Sequence, residues 1–273
     1  MEDPAEPLKR HRTPNKRIAA LGALLNEAYD RHARPGFIEA DPIHIPKAFA
    51  DRRDAELIGF YTATIAWGQR KTIIANAREL VRLMDEAPHD FVTNATEAEL
   101  ERLARFVHRT FNGTDLLHFI RASRHVLGTY GDLEQAFLEQ GELGTMAEGI
   151  ARFKRRFFEI PHPARTLKHV ADPAKGSNAK RINMYLRWMV RPNDRGVDLG
   201  LWTRITPAQL MVPLDVHTGR VGRALGLLQR PQDDWKAVEE LTAALRKFDP
   251  LDPVKYDIAL FGMGVSAGAD KKR

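Results

Sequence analysis

GSNAKRINMYLRWMV (residues 176–190), joined by a spacer to PLDVHTGRVGRALGL (213–227), decides how this chain is read. Ile182, Met184, Tyr185, Trp188 and Met189 recur at the spacing of one helix face, so a helix is predicted to begin near Lys180. Gly176 and Asn178 precede it, and both residue types tolerate positive φ, which suits a tight turn. A helix ending near Val170 would complete a helix–turn–helix hairpin. Such a turn exposes backbone N–H groups at the positive end of a helix dipole, a place suited to phosphate. Lys180, Arg181 and Arg187 add positive charge there.

In the second stretch Asp215 stands just before a helix carrying Val221, Leu225 and Leu228. Lys180 can be an ordinary exposed lysine in a first helical turn, or a nucleophile if burial and nearby cations favour its neutral form. Asp215 can be an N-cap, or a carboxylate that stabilises positive charge growing on a sugar ring. Those two roles are compatible. His217 is either a hydrogen-bonded helix residue or a partner in the same site. An amine and a carboxylate on neighbouring helix ends are the two groups needed to attack a sugar carbon and assist loss of a base.

Outward from this pair, helical periodicity dominates. Ile18, Leu21, Leu25 and Ala28 step by three and four, as do Ile73, Ala77, Leu80 and Met84. Leu116, Phe119, Ile120 and Leu127 follow the same rule, and so do Trp235, Val238, Leu241 and Leu245. Thr96 with Glu99 forms a capping box, Asp234 caps the helix bearing Trp235, and Thr206-Pro207 with Gln209 marks a third start. No segment alternates as a strand should. The expected fold class is all-α, with many short helices. A basic tail is expected over residues 1–16, a single helical domain over 17–268 with the hairpin region at 162–228, and a second tail over 269–273. In ARFKRRFF, Lys154 and Arg156 are either surface charges beside core phenylalanines or contacts to phosphate.

The 273 residues suffice for a sizeable core. There are no cysteines, which excludes disulfides, thiolate zinc sites and cysteine-held clusters. The ten histidines show no HExxH spacing, so neither metal nor cofactor is expected. No apolar run spans a membrane and no secretory leader is visible, so a cytoplasmic location and no membrane partner are expected. A net charge of +6 favours a polyanion, DNA or alternatively RNA, as partner, and a monomer is expected.

GSNAKRIN resembles the hairpin of the helix-hairpin-helix DNA glycosylase superfamily, the endonuclease III and 8-oxoguanine glycosylase group. Lys180 falls on the lysine of its bifunctional members. LDVHTGRVGRALGL is similar to that superfamily's Asp-x-His segment, with Asp215, His217 and Arg220 on its aspartate, histidine and arginine. AELIGFYTATIAWGQRKTIIANARELV resembles the early helix pair whose glutamine fills the gap left by a flipped base, and Gln69 falls on that position. Two departures stand out. Asn178 replaces the second turn glycine, and the spacer 191–213 is longer than usual. Trp202 in that spacer is either a core anchor or a stacking platform for an extruded base.

More closely, AWGQRKTII, RFVHRTFNGTDL, NMYLRWMVRPND, PLDVHTGRV and DPVKYDIALFGMG resemble a bacterial family known as domain of unknown function 2400. These resemblances imply a glycosylase-like fold in two lobes, with Lys180 and Asp215 catalytic. They imply nucleic-acid contacts by Gln69, Gly176, Asn178, Arg181, Arg187, His217 and Arg220. The expected function is base excision from DNA. A non-catalytic nucleic-acid binder and a small-ligand or protein-interaction module are the alternatives.

Overall fold

The computed structural model describes residues 14–39 and 41–269. Thirteen α-helices account for most of them: α1 (Pro14–His32), α2 (Pro35–Ile38), α3 (His44–Lys47), α4 (Arg52–Thr64), α5 (Arg70–Leu83), α6 (Pro88–Asn94), α7 (Glu97–Glu101), α8 (Gly113–Tyr130), α9 (Met146–Phe157), α10 (Lys180–Val190), α11 (Val216–Ala224), α12 (Trp235–Arg246) and α13 (Lys255–Ala269). One two-residue hairpin, β1 (Val107–His108) with β2 (Phe111–Asn112), is the sheet among the described residues. The chain is therefore mainly helical, as its periodicity requires. The tail expected over 1–16 lies outside the described residues up to residue 13. Residues 14–16 instead form the first turn of α1. The second tail, over 269–273, lies outside them from residue 270.

α4 is the axis of the core: every residue from Ala55 to Thr64 is buried. Phe60 stacks on Phe119 of α8 at 5.7 Å and meets Phe153 and Phe157 of α9, and Tyr185 of α10, edge-on at 5.4–5.5 Å. Edge-to-face rings at this spacing add to the burial term. Gly59 lets α4 and α10 close up, since a Cβ there would lie 2.7 Å from Met189 Cε. At the other end of this packed pair Arg181 donates to Thr64 O, which seats the start of α10 beside the end of α4. α13 packs between α1 and α11.

The predicted caps form. Thr96 and Glu99 close a capping box, and Asp234 accepts from Ala237 N. Thr206 and Gln209 close theirs too, but the helix is a single 3-10 turn, Pro207–Gln209. Beyond it Leu210 to Leu214 are drawn into the core without regular secondary structure, and Val212 N donates to Thr242 Oγ1. In α1, Leu25 and Ala28 are buried while Ile18 is exposed.

The helix expected to end near Val170 is not an α-helix. Ala164–His169 and Pro173–Lys175 are 3-10 turns, and Val170 is extended. Pro161, Pro163 and Pro173 remove donors and disfavour helical geometry just before each of them. The hairpin before α10 is thus a 3-10 turn leading into a helix.

Candidate functional site

The turn at 176–179 is built by short side chains. Gly176 takes a left-handed φ of +81°, is exposed, and has open space where a Cβ would stand. The second left-handed residue is Ala179, at φ +49°, not Asn178. Asn178 Oδ1 accepts from Lys180 N at 3.2 Å, and its Nδ2 donates to Leu214 O at 3.1 Å. Ser177 Oγ accepts from Ala179 N at 3.2 Å. Two of the N–H groups expected to face a phosphate are therefore occupied by side chains. Trp235 N donates to the Gly176 carbonyl at 3.2 Å, tying the turn to the start of α12.

Because Asn178 bridges to Leu214, the start of α10 is held next to the start of α11. Asp215 caps α11: Oδ1 accepts from His217 N and Thr218 N, each at 2.8 Å. The other oxygen, Oδ2, faces Lys180 Nζ at 3.9 Å. Groups 35 residues apart in the chain thus share one mouth. At 3.9 Å they attract, but the gap is too long for a hydrogen bond. The Lys180 side chain is 34% exposed and that of Asp215 17%, so solvent screening keeps the attraction near 1 kcal/mol. A ligand can displace such a contact.

Both residues line a cleft of about 620 Å³, within the range of small-molecule sites. Its wall includes Trp67 and Gly68 after α4, Arg70 of α5, Lys168, the 177–181 turn, and residues 213–217. From the spacer only Pro213 reaches it.

The other expected site residues divide. Arg181 lines the cleft, donates to Thr64 O, and lies 4.6 Å from the Trp67 ring. Among the described residues no carboxylate pairs with it, and burial lowers its pKa to about 10. His217 lines the cleft, and its Nδ1 is buried without a partner. Gln69 is exposed at the N-cap of α5, between the cleft residues Gly68 and Arg70, and its side chain makes no capping bond. Arg187 reaches the cleft floor but is bound to Asp198 at 3.1 Å and Asp257 at 2.7 Å. Burial works against its charge, yet the two carboxylates outweigh it and its pKa rises. Arg187 is therefore paired within the wall of the cleft. Arg220 donates to Gly264 O at 2.7 Å and is not among the cleft residues.

Two further alternatives resolve toward packing. Trp202 is buried against Phe137 and Tyr185 and donates to Glu56, so it is a core anchor outside the cleft. Lys154 donates to Val170 O, and Arg156 to the carbonyls of Gln135, Ala136 and Leu138. These cations tie loops to α9.

Sequence reasoning passed over Asp41, Trp67, Lys168 and Asp257, all in the cleft wall. Asp257 had a visible signal, an acid inside the apolar run YDIALFGMG. Burial raises its pKa to about 6, with the Asp215 charge adding to the rise. Among the described residues no group of three or more His, Asp or Glu is placed to hold a metal ion, and no helix is long and apolar enough to cross a membrane.

Comparison with known proteins gives one assignment. The family described as protein of unknown function (DUF2400) matches residues 41–266, and the chain belongs to it. No curated protein and no solved structure matches the chain.

Proposed function

We propose that this member of the DUF2400 family is a DNA base-excision enzyme, a glycosylase with AP-lyase activity. It acts on a nucleotide turned out of the duplex into the cleft. One observation carries the reading: Lys180 Nζ stands 3.9 Å from Asp215 Oδ2 in a cleft of about 620 Å³. The resemblance of the hairpin, the Asp-x-His segment and the Gln69 segment to helix-hairpin-helix glycosylases agrees with it. So does the mainly helical architecture.

The two oxygens of Asp215 have separate tasks. Oδ1 is held by two backbone N–H groups of α11, which fixes the carboxylate. Oδ2 is left to face the amine and, with substrate present, the sugar. Lys180 in its neutral form attacks C1′. The C1′–base bond breaks and the base leaves with the electron pair, while Asp215 stabilises the positive charge growing on the ring. Loss of a proton from nitrogen and opening of the ring give an imine between Lys180 and C1′. Loss of the C2′ proton then expels the 3′ phosphate and cuts the strand. Gln69, at the exposed start of α5, fills the vacated stack. Gly176 and Arg181 hold backbone phosphate near the turn.

Borohydride trapping tests this on duplexes bearing an abasic site and on a panel of damaged bases. A covalent adduct that maps to Lys180 is expected. Lys180→Ala should abolish it, and Asp215→Asn should slow base release by about 10²–10⁴-fold. A folded protein that binds duplex DNA but forms no adduct with any of these would be a non-catalytic binder. No binding at low salt would leave a small-ligand or protein-interaction module.

A further inference from the structure

α10 and α11 carry the two groups of the candidate site at their starts. One side chain of a third helix touches both helices. Asp257 lies in the first turn of α13 and is 5% exposed. Its Oδ2 accepts from Arg187 Nη1 of α10 at 2.7 Å. Its Oδ1 accepts from Thr218 Oγ1 of α11 at 3.1 Å. The backbone N–H of Thr218 in turn donates to Asp215 Oδ1 at 2.8 Å, so Asp257 reaches Asp215 through a single residue. Arg187 stands about two turns along α10 from Lys180. A carboxylate with one oxygen on each helix fixes both their distance and their register.

We propose that Asp257 is a positioning residue that clamps α10 to α11 and so sets where the Lys180 amine stands relative to the Asp215 carboxylate. The catalytic part of this rests on the reading given under Proposed function. The positional part does not.

The clamp is strongest when Asp257 is ionised, because both of its oxygens then accept from donors and one donor is charged. Several groups act on that ionisation. Arg187, braced from behind by Asp198, favours it, as does the Thr218 hydroxyl. Burial opposes it most, followed by the negative charge of Asp215. Lys180, His217 and Asp41 share the cleft wall with Asp257. With its pKa at about 6, the clamp loosens just below neutral pH. A salt bridge serving only core stability would have no such effect on Lys180.

The test uses the full chain with its lysines ¹³C-dimethylated, the Lys180 resonance being assigned by its loss in Lys180→Arg. Across a titration from about pH 5 to about pH 8, this resonance should move through a transition centred near pH 6. Asp257→Asn keeps the shape and should abolish the transition. Thr218→Val cuts only the α11 arm and should displace the resonance while leaving Arg187 paired. On an abasic duplex, with unmethylated protein, single-turnover adduct formation should fall about 10–100-fold in Asp257→Asn, with DNA affinity within about twofold of wild type. A Lys180 resonance indifferent to both substitutions would overturn the proposal, as would undiminished adduct formation in folded Asp257→Asn. If the wild-type protein forms no adduct but the Lys180 transition depends on Asp257, the clamp stands and the excision reading fails.

Discussion

The two ends of α10 hold their charges in different ways. At its C-terminal end Arg187 and Arg191 are almost wholly buried: Arg187 is bound to Asp198 and Asp257 at 3.1 and 2.7 Å, and Arg191 to Asp252 at 2.8 Å and to Asp198. At its start Lys180 is a third exposed and stands off from Asp215 by 3.9 Å, while Arg181, among the described residues, has a backbone carbonyl and the Trp67 ring. A buried charge at hydrogen-bond distance from its partner is committed to the scaffold. Removing that partner strands it where water cannot help. A charge beyond hydrogen-bond distance at a cleft mouth loses little when its partner goes, and remains available to a ligand. One helix thus has a paired end and an open end.

The sharpest way to break this contrast is to remove one acid from each end. Asp198 is fully buried and serves both arginines, so Asp198→Ala should cost about 3–5 kcal/mol in urea unfolding. Lys180→Ala should change stability by no more than about 1 kcal/mol. Comparable losses from the two substitutions would mean that the ends of α10 do not differ as described.

Acidity gives the next largest effect, on the buried side. Glu56 of α4 accepts from the Trp202 indole, and burial raises its carboxyl from 4.5 to about 7. The folded protein therefore keeps a proton that the unfolded chain has lost. The stability this contributes is complete below about pH 4.5 and is lost as pH rises through 7. Glu56→Gln retains an acceptor without the charge. Relative to wild type it should gain about 2–3 kcal/mol by pH 8 and nothing near pH 4. His118 and His169, which burial holds at about 4, act in the opposite sense: their neutral forms lose stability as pH falls from 6.5 toward 4. The difference between variant and wild type, followed by chemical denaturation across pH, isolates Glu56 from them. A flat difference would mean that the Trp202 anchor carries no ionisable burden.

These contrasts also mark what the sequence could tell. The helices were legible because apolar spacing is local: Trp235, Val238, Leu241 and Leu245 are all buried as their period demands. The caps at Thr96 and Asp234 were legible for the same reason. The pairing of Lys180 with Asp215 was read from their places at two helix starts and from the resemblance; spacing alone says nothing about two groups on separate helices. What brings them together is Asn178, whose side chain joins the turn to Leu214, and a tie across 36 residues leaves no local trace. Arg187 was expected to contact nucleic acid, and a helix period gives its face but not its partners. Those partners, Asp198 and Asp257, come from a loop and a distant helix. The 3-10 turns before α10 were foreshadowed by three prolines, whose effect a periodicity reading passes over.

The smallest effect sharpens the comparison at the open end, where one residue both caps a helix and faces the amine. If Asp215 were only a cap, its loss would resemble that of any other. Thr145 is a fair control, since its hydroxyl accepts from Glu148 N in the capping box of α9, outside the cleft. Thr145→Ala and Asp215→Ala should each cost about 1 kcal/mol in thermal or urea unfolding. Asparagine caps about as well as aspartate, so Asp215→Asn should cost less than half of that. Adduct formation on an abasic duplex should then separate what stability cannot. Thr145→Ala should react at the wild-type rate, and Asp215→Asn, nearly as stable as wild type, should be slowed by at least about 10²-fold. If Asp215→Asn reacts normally, the carboxylate charge facing Lys180 does no chemistry, and the start of α11 belongs with the scaffold after all.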